Sequence, residues 1–312
     1  MHAELVVPGL FMAGVATRFA ALELLLARGR SRAAPAQRLE GWLQEAFQLD
    51  EGAFPAGALT LLGCGGEPGE ASWARGDPVH LRVMRDHAVV IPSLDLSQEE
   101  ADALRDALNQ HFPGLEVCAC QPSRWCLRFA ETAETENPLD VAGHEAAPPR
   151  SVARFLTEAQ MVLHEHPVNE AREARGEPAV NSLWLWGAGR ATSARSSWHS
   201  IAANDPAVLG AARLAGARHR PLPRTARDWL ERLPEDGRHL AVLDPLRTTP
   251  QTEILEELER DWFAPLLAAL RAGRVGMVTV HVPDAAEALS FETIRADLRR
   301  FWRMPKSLER YA

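Results

Sequence analysis

Residues 163–189 read LHEHPVNEAREARGEPAVNSLWLWGAG and hold the densest group of polar side chains in the chain. Asn169 and Asn181 offer amide donors, and the planar guanidinium of Arg172 pairs readily with carboxylate or phosphate oxygens. His166 can donate a hydrogen bond or a proton near neutral pH. Together these residue types predict a site for a small phosphorylated or carboxylated metabolite.

Two glycines close this segment, Gly187 and Gly189, and predict a tight turn whose backbone N–H groups could face an anion. A purely structural interpretation stays open, in which the histidines only end a helix and the glycines only make the turn. A metal site built on His164 and His166 is disfavoured, because residues two apart on a helix do not face each other.

The sequence on both sides of this segment alternates between strand and helix patterns. Short apolar runs predict strands, and apolar residues at helical spacing predict helices. Such alternation favours an α/β fold around a mostly parallel sheet. Strands are predicted at residues 5–7, 58–62, 182–186, 240–243 and 275–282, and helices at 17–28, 36–47, 152–164, 206–215, 252–271 and 290–302.

The pattern changes between residues 73 and 129, where short strands surround one helix. Ser97 and Glu100 form a capping-box motif that starts a helix running to residue 109. The stretch 131–150 is acidic, contains prolines and lacks apolar periodicity, so it predicts a linker. We therefore expect an α/β core from residues 1–70 and 150–312, and a small inserted α+β domain at 71–149. Its strands are predicted at 79–83, 88–91, 115–120 and 125–129.

The composition excludes some classes of protein. A formal net charge of -8 argues against a nucleic-acid binder, which needs a concentrated basic surface. No apolar stretch reaches the roughly 20 residues that cross a bilayer, and no signal peptide pattern precedes the first strand, so we expect no membrane contact and a cytoplasmic location. The four cysteines lack the spacing of a structural zinc site.

The order HPxN, Arg, Ala-Asn and Gly-x-Gly in residues 163–189 resembles a segment of the archaeal-type cofactor-independent phosphoglycerate mutases, in the alkaline phosphatase superfamily. PAGALTLLG at 55–63 resembles their nucleophile region, and WARGDPVHL at 73–81 resembles the start of their inserted domain. The resemblance is closer still to bacterial proteins described as regulators of pathogenicity factors, E type. It implies an alkaline-phosphatase-like fold with a three-layer α/β/α core. Arg75 and His80 lie in the stretch that resembles the start of the inserted domain, so they could face the cleft between domains, make an interdomain salt bridge or form a surface pair. The expected binding residues are His166, Asn169, Arg172, Asn181, Gly187, Gly189, Arg75 and His80.

The resemblance also implies two metal ions, an Asp after the first strand and a Ser or Thr nucleophile, because the metals ionise the nucleophile and take up phosphoryl charge. This sequence departs from that pattern. Pro8 stands where the Asp is expected, residues 55–58 carry no hydroxyl, and Thr60 is interpreted as core. At the first of the later metal-ligand positions only Asp244 is kept. At the second, His281 and Asp284 stand in the reverse of the expected Asp-His order.

Three functions follow from these observations. The favoured one is a degenerate phosphoglycerate-mutase-like pseudoenzyme that binds a metabolite or acts as a regulatory protein, with no cofactor. The alternative is an active mutase or phosphatase whose Asp244, His281 and Asp284 hold Mn, Zn or Mg. The third is an interaction platform for a protein partner, with residues 262–263 or 301–302 as the contact surface.

Overall fold

The computed structural model describes residues 1–11, 17–50, 52–85, 88–92, 94–128, 136–142, 150–234, 236–247 and 252–311. The chain forms two compact units. Unit 1 contains Met1–Gln48, Arg195–Asn204 and Ala215–Ala312, and unit 2 contains Leu49–Ala194 and Asp205–Leu214. Most of the predicted linker at 131–150 lies outside the described residues.

The strands are numbered in chain order through both units. They are β1 (His2–Val6), β2 (Arg30–Ala34), β3 (Trp73–Val83), β4 (Ala88–Ile91), β5 (Glu116–Gln121), β6 (Arg124–Arg128), β7 (Ser182–Gly189), β8 (Ser200–Ala202), β9 (Arg218–Arg220), β10 (Arg238–Val242), β11 (Met277–Val282) and β12 (Ala288–Ile294).

The helices follow the same order. They are α1 (Ala20–Arg28), α2 (Leu39–Ala46), α3 (Ala56–Gly63), α4 (Gln98–His111), α5 (Ala153–His164), α6 (Pro167–Ala174), α7 (Pro206–Leu214), α8 (Ala226–Glu231), α9 (Thr252–Leu258) and α10 (Ala264–Ala272). A π-helical segment, Glu259–Phe263, joins α9 to α10. None of the described helices is long and apolar enough to cross a membrane.

Unit 1 is built on a seven-stranded sheet in the order β2-β12-β11-β1-β10-β8-β9. The strands from β11 to β9 run parallel, and β12 and β2 pair antiparallel at one edge. Side chains alternate across a strand, so Ala3 and Leu5 enter the core that α1, α8 and α10 cover, whereas Glu4 lies on the other face. The predicted α/β fold with a mostly parallel sheet is confirmed.

The helix predicted at 290–302 is wrong, because this segment begins as the antiparallel strand β12. Phe291 and Thr293 are buried while Glu292 between them is exposed. That alternation is a strand signal, and the ladder with β11 satisfies its backbone groups. Only the short 3-10 turn Arg295–Arg299 is helical in this stretch.

The helix predicted at 252–271 is present as α9, the π-helical segment and α10. The π-helical segment brings Glu259 to the first turn of α1, where its Oε1 and Oε2 accept hydrogen bonds from Ala21 N (2.6 Å) and Leu22 N (3.0 Å). These amides have no partner inside their own helix, and a carboxylate also suits the positive end of the helix dipole. Residues 262–263 are buried, so they do not form the predicted contact surface.

Unit 2 contains a five-stranded antiparallel sheet, in which β7, β6 and β4 all pair with β3, and β5 pairs with β6. Helices α4 and α5 cover one face through Leu104, Leu108 and Leu156. The predicted capping box is present: Ser97 Oγ accepts from Glu100 N, and the Glu100 carboxylate accepts from Ser97 N. Helix α3 packs on the opposite side, against Trp73.

The strand predicted at 58–62 is wrong, because these residues lie in α3. A short apolar run fits a buried helix as well as a buried strand, and packing decides between them. A Cβ on Gly57 would lie 2.4 Å from the backbone carbon of Ala74, and one on Gly63 would lie 1.9 Å from Pro206 O. Glycine at these positions lets α3 contact β3 and α7 at backbone distance.

The compact units also differ from the predicted division of the chain. Residues 49–70 and 150–194 pack with the strands of the expected insertion in unit 2, rather than with the seven-stranded sheet. The reason lies in pairing: β7 adds to β3, and α5 covers the same face as α4. A sequence pattern predicts individual helices and strands. Which strands pair across about a hundred residues of sequence is decided by tertiary packing.

Candidate functional site

His166 begins α6 rather than ending a long helix. It is the N-cap residue, its Nδ1 accepts a hydrogen bond from Val168 N (3.2 Å), and Pro167 occupies the first helical position. Proline fits there because the amide it lacks would have no helical partner. Partial burial lowers the pKa of His166, which favours the neutral ring that accepts this bond.

Asn169, one turn into α6, is buried and uses its whole amide group inside unit 2. Its Nδ2 donates to Leu163 O (2.7 Å) and Val180 O (2.8 Å), and its Oδ1 accepts from Val180 N (2.8 Å). An amide has two N–H donors, and both are engaged here. Asn169 therefore ties the start of α6 to the end of α5 and to the approach to β7.

Arg172 is also buried, at 1% relative exposure. Its Nε donates to Pro178 O (3.0 Å), and its Nη1 donates to Asp95 O (2.8 Å) and to Glu100 Oε2 (3.1 Å). Glu100 is the capping-box residue of α4. The predicted anion-binding arginine thus joins α6 to the start of α4 through an internal carboxylate.

Asn181 and His80 attach the segment before β7 to β3. Asn181 Oδ1 accepts from Leu81 N (2.7 Å), and its Nδ2 donates to Leu81 O (3.0 Å), which imitates a strand pair. His80 Nδ1 donates to Ala179 O (2.9 Å). Both residues extend the β3–β7 ladder by side-chain bonds.

Arg75 lies in a buried ion pair with Asp77. Its Nη2 donates to Asp77 Oδ1 (2.6 Å) and Oδ2 (2.8 Å), its Nε donates to Oδ1 (2.9 Å), and its Nη1 donates to Thr60 Oγ1 (3.2 Å). The guanidinium also lies 5.2 Å from the ring centre of Trp186. This ion pair lies inside unit 2 and is buried, so it is neither the expected interdomain salt bridge nor a surface pair. Thr60 is fully buried as predicted.

Gly187 and Gly189 do not form the predicted turn, because both lie in β7. Gly187 has a φ of 57°, and a Cβ there would lie 2.5 Å from Ala56 Cβ. A Cβ on Gly189 would lie 3.0 Å from Pro55 Cβ. The glycines therefore make room for the start of α3, and the chain needs them there for packing.

All eight expected binding residues lie in unit 2. The hydrogen bonds described above engage the polar side chains among them. Their role as ligand contacts stays a prediction. A cavity of about 440 Å³ lies beside Pro55 and Gly189, and Asp50 at its edge accepts hydrogen bonds from Thr192 Oγ1 and Ser193 Oγ.

The ligand set implied for two metal ions does not fit the residues of unit 1. Asp284 pairs through its backbone with Gln37, and its Oδ1 accepts from Ala286 N (2.8 Å). His281 Nε2 donates to Glu4 Oε2 (3.2 Å), so this nitrogen has an internal partner. In the described part of the chain, no three His, Cys, Asp or Glu side chains are grouped to hold a metal ion.

Glu4 is the polar residue that sequence reasoning missed. It lies in the middle of β1, at 1% relative exposure, and accepts hydrogen bonds from Arg238 Nε (2.6 Å), Arg238 Nη2 (3.1 Å) and His281 Nε2 (3.2 Å). Burial raises the pKa of Glu4, but the hydrogen bonds from His281 and Arg238 outweigh it and lower the pKa from 4.5 to about 2. A glutamate inside an apolar strand was the available signal.

The low pKa of Glu4 predicts a specific acid sensitivity. Its pKa is lower in the folded than in the unfolded chain, so its contribution is complete above about pH 4.5 and is lost as the pH falls towards 2. We expect the difference in unfolding free energy between the wild type and Glu4→Gln to shrink by up to about 3 kcal/mol over that range. Urea denaturation at pH 7, 4.5 and 2.5 measures it.

Glu45→Gln is the matched control, because Glu45 carries an exposed carboxylate in the same unit. The Glu45→Gln difference from the wild type is measured at the same pH values, and the Glu4→Gln difference should change more than it does. A Glu4→Gln difference that did not change between pH 4.5 and about 2.5 would contradict the internal ion pair.

Fold and site together define an α/β protein with two units, one on a mostly parallel sheet and one on an antiparallel sheet. Neither a family model nor a curated protein sequence matches the chain. The PH0037 protein from Pyrococcus horikoshii has a similar structure, with a TM-score of 0.56 and 16% identity over 94% of this chain and 87% of that chain. The two chains share a fold.

A cofactor-independent phosphoglycerate mutase from Thermoplasma acidophilum DSM 1728 also matches, at 15% identity over 94% of this chain and 90% of that chain. Its TM-score is 0.46.

Proposed function

We propose that this chain is a degenerate phosphoglycerate-mutase-like protein that binds a small phosphorylated or carboxylated molecule and does not catalyse metal-dependent phosphoryl transfer. The main support for this proposal comes from helix α3, whose sequence resembles the nucleophile region of those enzymes. Ala56 and Ala58 are fully buried in it, and its hydroxyl, that of Thr60, accepts from Arg75 inside the core. A nucleophile there could not reach a substrate without unfolding the helix.

Gly57 strengthens this argument. Any side chain at this position would lie 2.4–2.5 Å from the backbone of Trp73 and Ala74. Real Cβ atoms do not approach backbone atoms so closely, and a packed interior resists such an insertion. Helix α3 therefore has a packing role. This supports the proposal that the fold has a helix–sheet contact where a reactive hydroxyl would otherwise stand.

The metal side of the chemistry supports the same proposal. Two-metal phosphoryl transfer needs several carboxylates and imidazoles around both ions. Pro8 follows β1 where a carboxylate would be needed, and His281 and Asp284 have internal partners. We extend the proposal to a regulatory role in the cytoplasm, by analogy with the bacterial proteins that the sequence resembles.

The proposal predicts that the purified protein contains no stoichiometric metal and shows no turnover. Metal analysis is combined with mutase assays on 3-phosphoglycerate and phosphatase assays on p-nitrophenyl phosphate, each with added Mn²⁺, Mg²⁺ or Zn²⁺. We expect rates equal to the protein-free blank. Asp244→Asn and Asp284→Asn serve as controls for contaminating enzymes, because activity of this chain's own site must fall in at least one of them. Metal-dependent turnover that either variant lost would overturn the proposal.

A further inference from the structure

Unit 1 contains a cleft of about 370 Å³ on the polar face of its sheet. The strand register explains its composition: Glu4 pairs with Thr279, His281 pairs with Ser290, and Ser290 pairs with Arg32. Because residues two apart share a face, Glu4, His281, Ser290 and Arg32 point to the same side of the sheet. This face is opposite the one that packs on the apolar core, so the cleft and the core lie on different sides of the sheet.

Two tryptophans, a histidine and an arginine give the cleft its chemistry. Trp42 of α2 lies with its ring centre 5.1 Å from the His281 ring and 5.9 Å from Trp198. The Arg238 guanidinium lies 5.6 Å from the Trp198 ring centre. Flat aromatic surfaces of this kind, with a few placed polar groups, are typical of small-molecule pockets.

The charges inside the cleft are paired at one end. Arg238 and His281 both donate to Glu4, and Arg238 Nη1 also donates to Ser197 Oγ (2.7 Å). Along the cleft, Gln37 Nε2 donates to Glu45 Oε2 (2.9 Å). The buried Glu4 carboxylate thus adds no uncompensated negative charge that would repel an anion.

Arg32 differs from these residues. It is exposed on the edge strand β2 and lines the cleft, and within the described residues its guanidinium makes no hydrogen bond and no ion pair. A guanidinium presents five N–H donors in a fixed fork that matches a carboxylate or a phosphate. The cleft therefore has an aromatic wall and a cationic group that is available to a ligand.

We propose that this cleft binds a small organic anion with a planar ring, with the anionic group on Arg32 and the ring along Trp42. The site deepens the proposed ligand-binding function and rests on it, because it assigns the ligand class and its contacts. A volume of about 370 Å³ suits one ring with a short acidic substituent and excludes a large cofactor. A phosphate and a carboxylate satisfy the same guanidinium fork, so both belong to this ligand chemistry.

The test is isothermal titration of the full chain, in EDTA, with phenyl phosphate, benzoate and the uncharged benzyl alcohol. We expect phenyl phosphate or benzoate to bind and benzyl alcohol not to bind. Arg32→Gln should weaken the binding at least tenfold, whereas Arg30→Gln should leave it unchanged. Arg30 is the matched control because it is exposed on the same strand and the same face, and it does not line the cleft. The stronger of the two acids identifies the anionic group.

Trp42→Leu provides a second variant, which should weaken binding of both ring acids by a similar factor. Melting temperatures of all variants show whether they are folded. The proposal is overturned if neither acid binds the wild type, or if Arg32→Gln and Arg30→Gln bind equally well. EDTA keeps this result separate from the proposed function: metal-dependent turnover would refute the absence of catalysis and leave ring-acid binding to the cleft unaffected.

Discussion

Asp77→Ala should destabilise the protein by about 3–5 kcal/mol, the largest effect expected of any single substitution considered for this chain. Asp77 is buried, and its carboxylate accepts from Arg75, from Trp186 Nε1 (2.9 Å) and from Trp125 N (3.4 Å). Removing it leaves the Arg75 charge at 1% relative exposure without its carboxylate. A buried charge that loses its partner costs far more than an exposed one.

Chemical denaturation measures this change in unfolding free energy, and Glu158→Ala is the control. Glu158 pairs with Arg154 one helical turn away on α5, and the Arg154 side chain is 94% exposed. An exposed pair of this kind contributes less than about 1 kcal/mol. Replacing Arg75 and Asp77 together with apolar residues should restore part of the loss. Equal effects of Asp77→Ala and Glu158→Ala would rule out a buried ion pair at this position.

Gly210→Ala is expected to destabilise the protein by about 3 kcal/mol, the upper end of the usual cost of overpacking, through forced separation of two helices. Helices α3 and α7 cross at backbone distance, and a Cβ on Gly210 would lie 1.9 Å from Leu59 O and 2.7 Å from Leu59 C. The obstructing atoms belong to a helical backbone and cannot rotate away. The gain in helix propensity from glycine to alanine, about 1 kcal/mol, is much smaller than this steric cost.

Gly41→Ala is the matched control, because Gly41 is also a helical glycine. A Cβ there would meet only the Gln37 side chain, with its Cγ at 2.9 Å, and that side chain can move. We expect a change of less than about 1 kcal/mol, with helix propensity favouring alanine. Thermal and chemical denaturation compare the two variants. If Gly210→Ala were as stable as Gly41→Ala, the close crossing of α3 and α7 would be wrong.

Much of the secondary structure follows from local sequence. The capping box at Ser97 and Glu100 starts α4, and the apolar spacing of residues 252–271 predicts the long helix of unit 1. The apolar runs that became β10 and β11 also predict strands in a mostly parallel sheet. These signals come from residues within one or two helical turns of each other, so they can be recognised from the sequence alone.

The polar segment at 163–189 shows where local reasoning stops. Residue types predict which chemistry a side chain can perform, and they do not show whether its donors are already engaged. Asn169 bonds to Val180 and Arg172 to Glu100, and those partners became visible only in the folded chain. The same amide or guanidinium serves a ligand or a neighbouring carbonyl, and packing decides which.

The sequence by itself determined the α/β class, most helices and strands, and the absence of a carboxylate at Pro8 and of hydroxyl groups at residues 55–58. Only the tertiary structure decided that residues 56–63 form a helix, that β12 is a strand, and that Glu4 forms an ion pair. Glu4 meets Arg238 and His281, which lie 234 and 277 residues away along the chain. Contacts at such separations leave no local pattern, because they arise when distant strands become neighbours in one sheet.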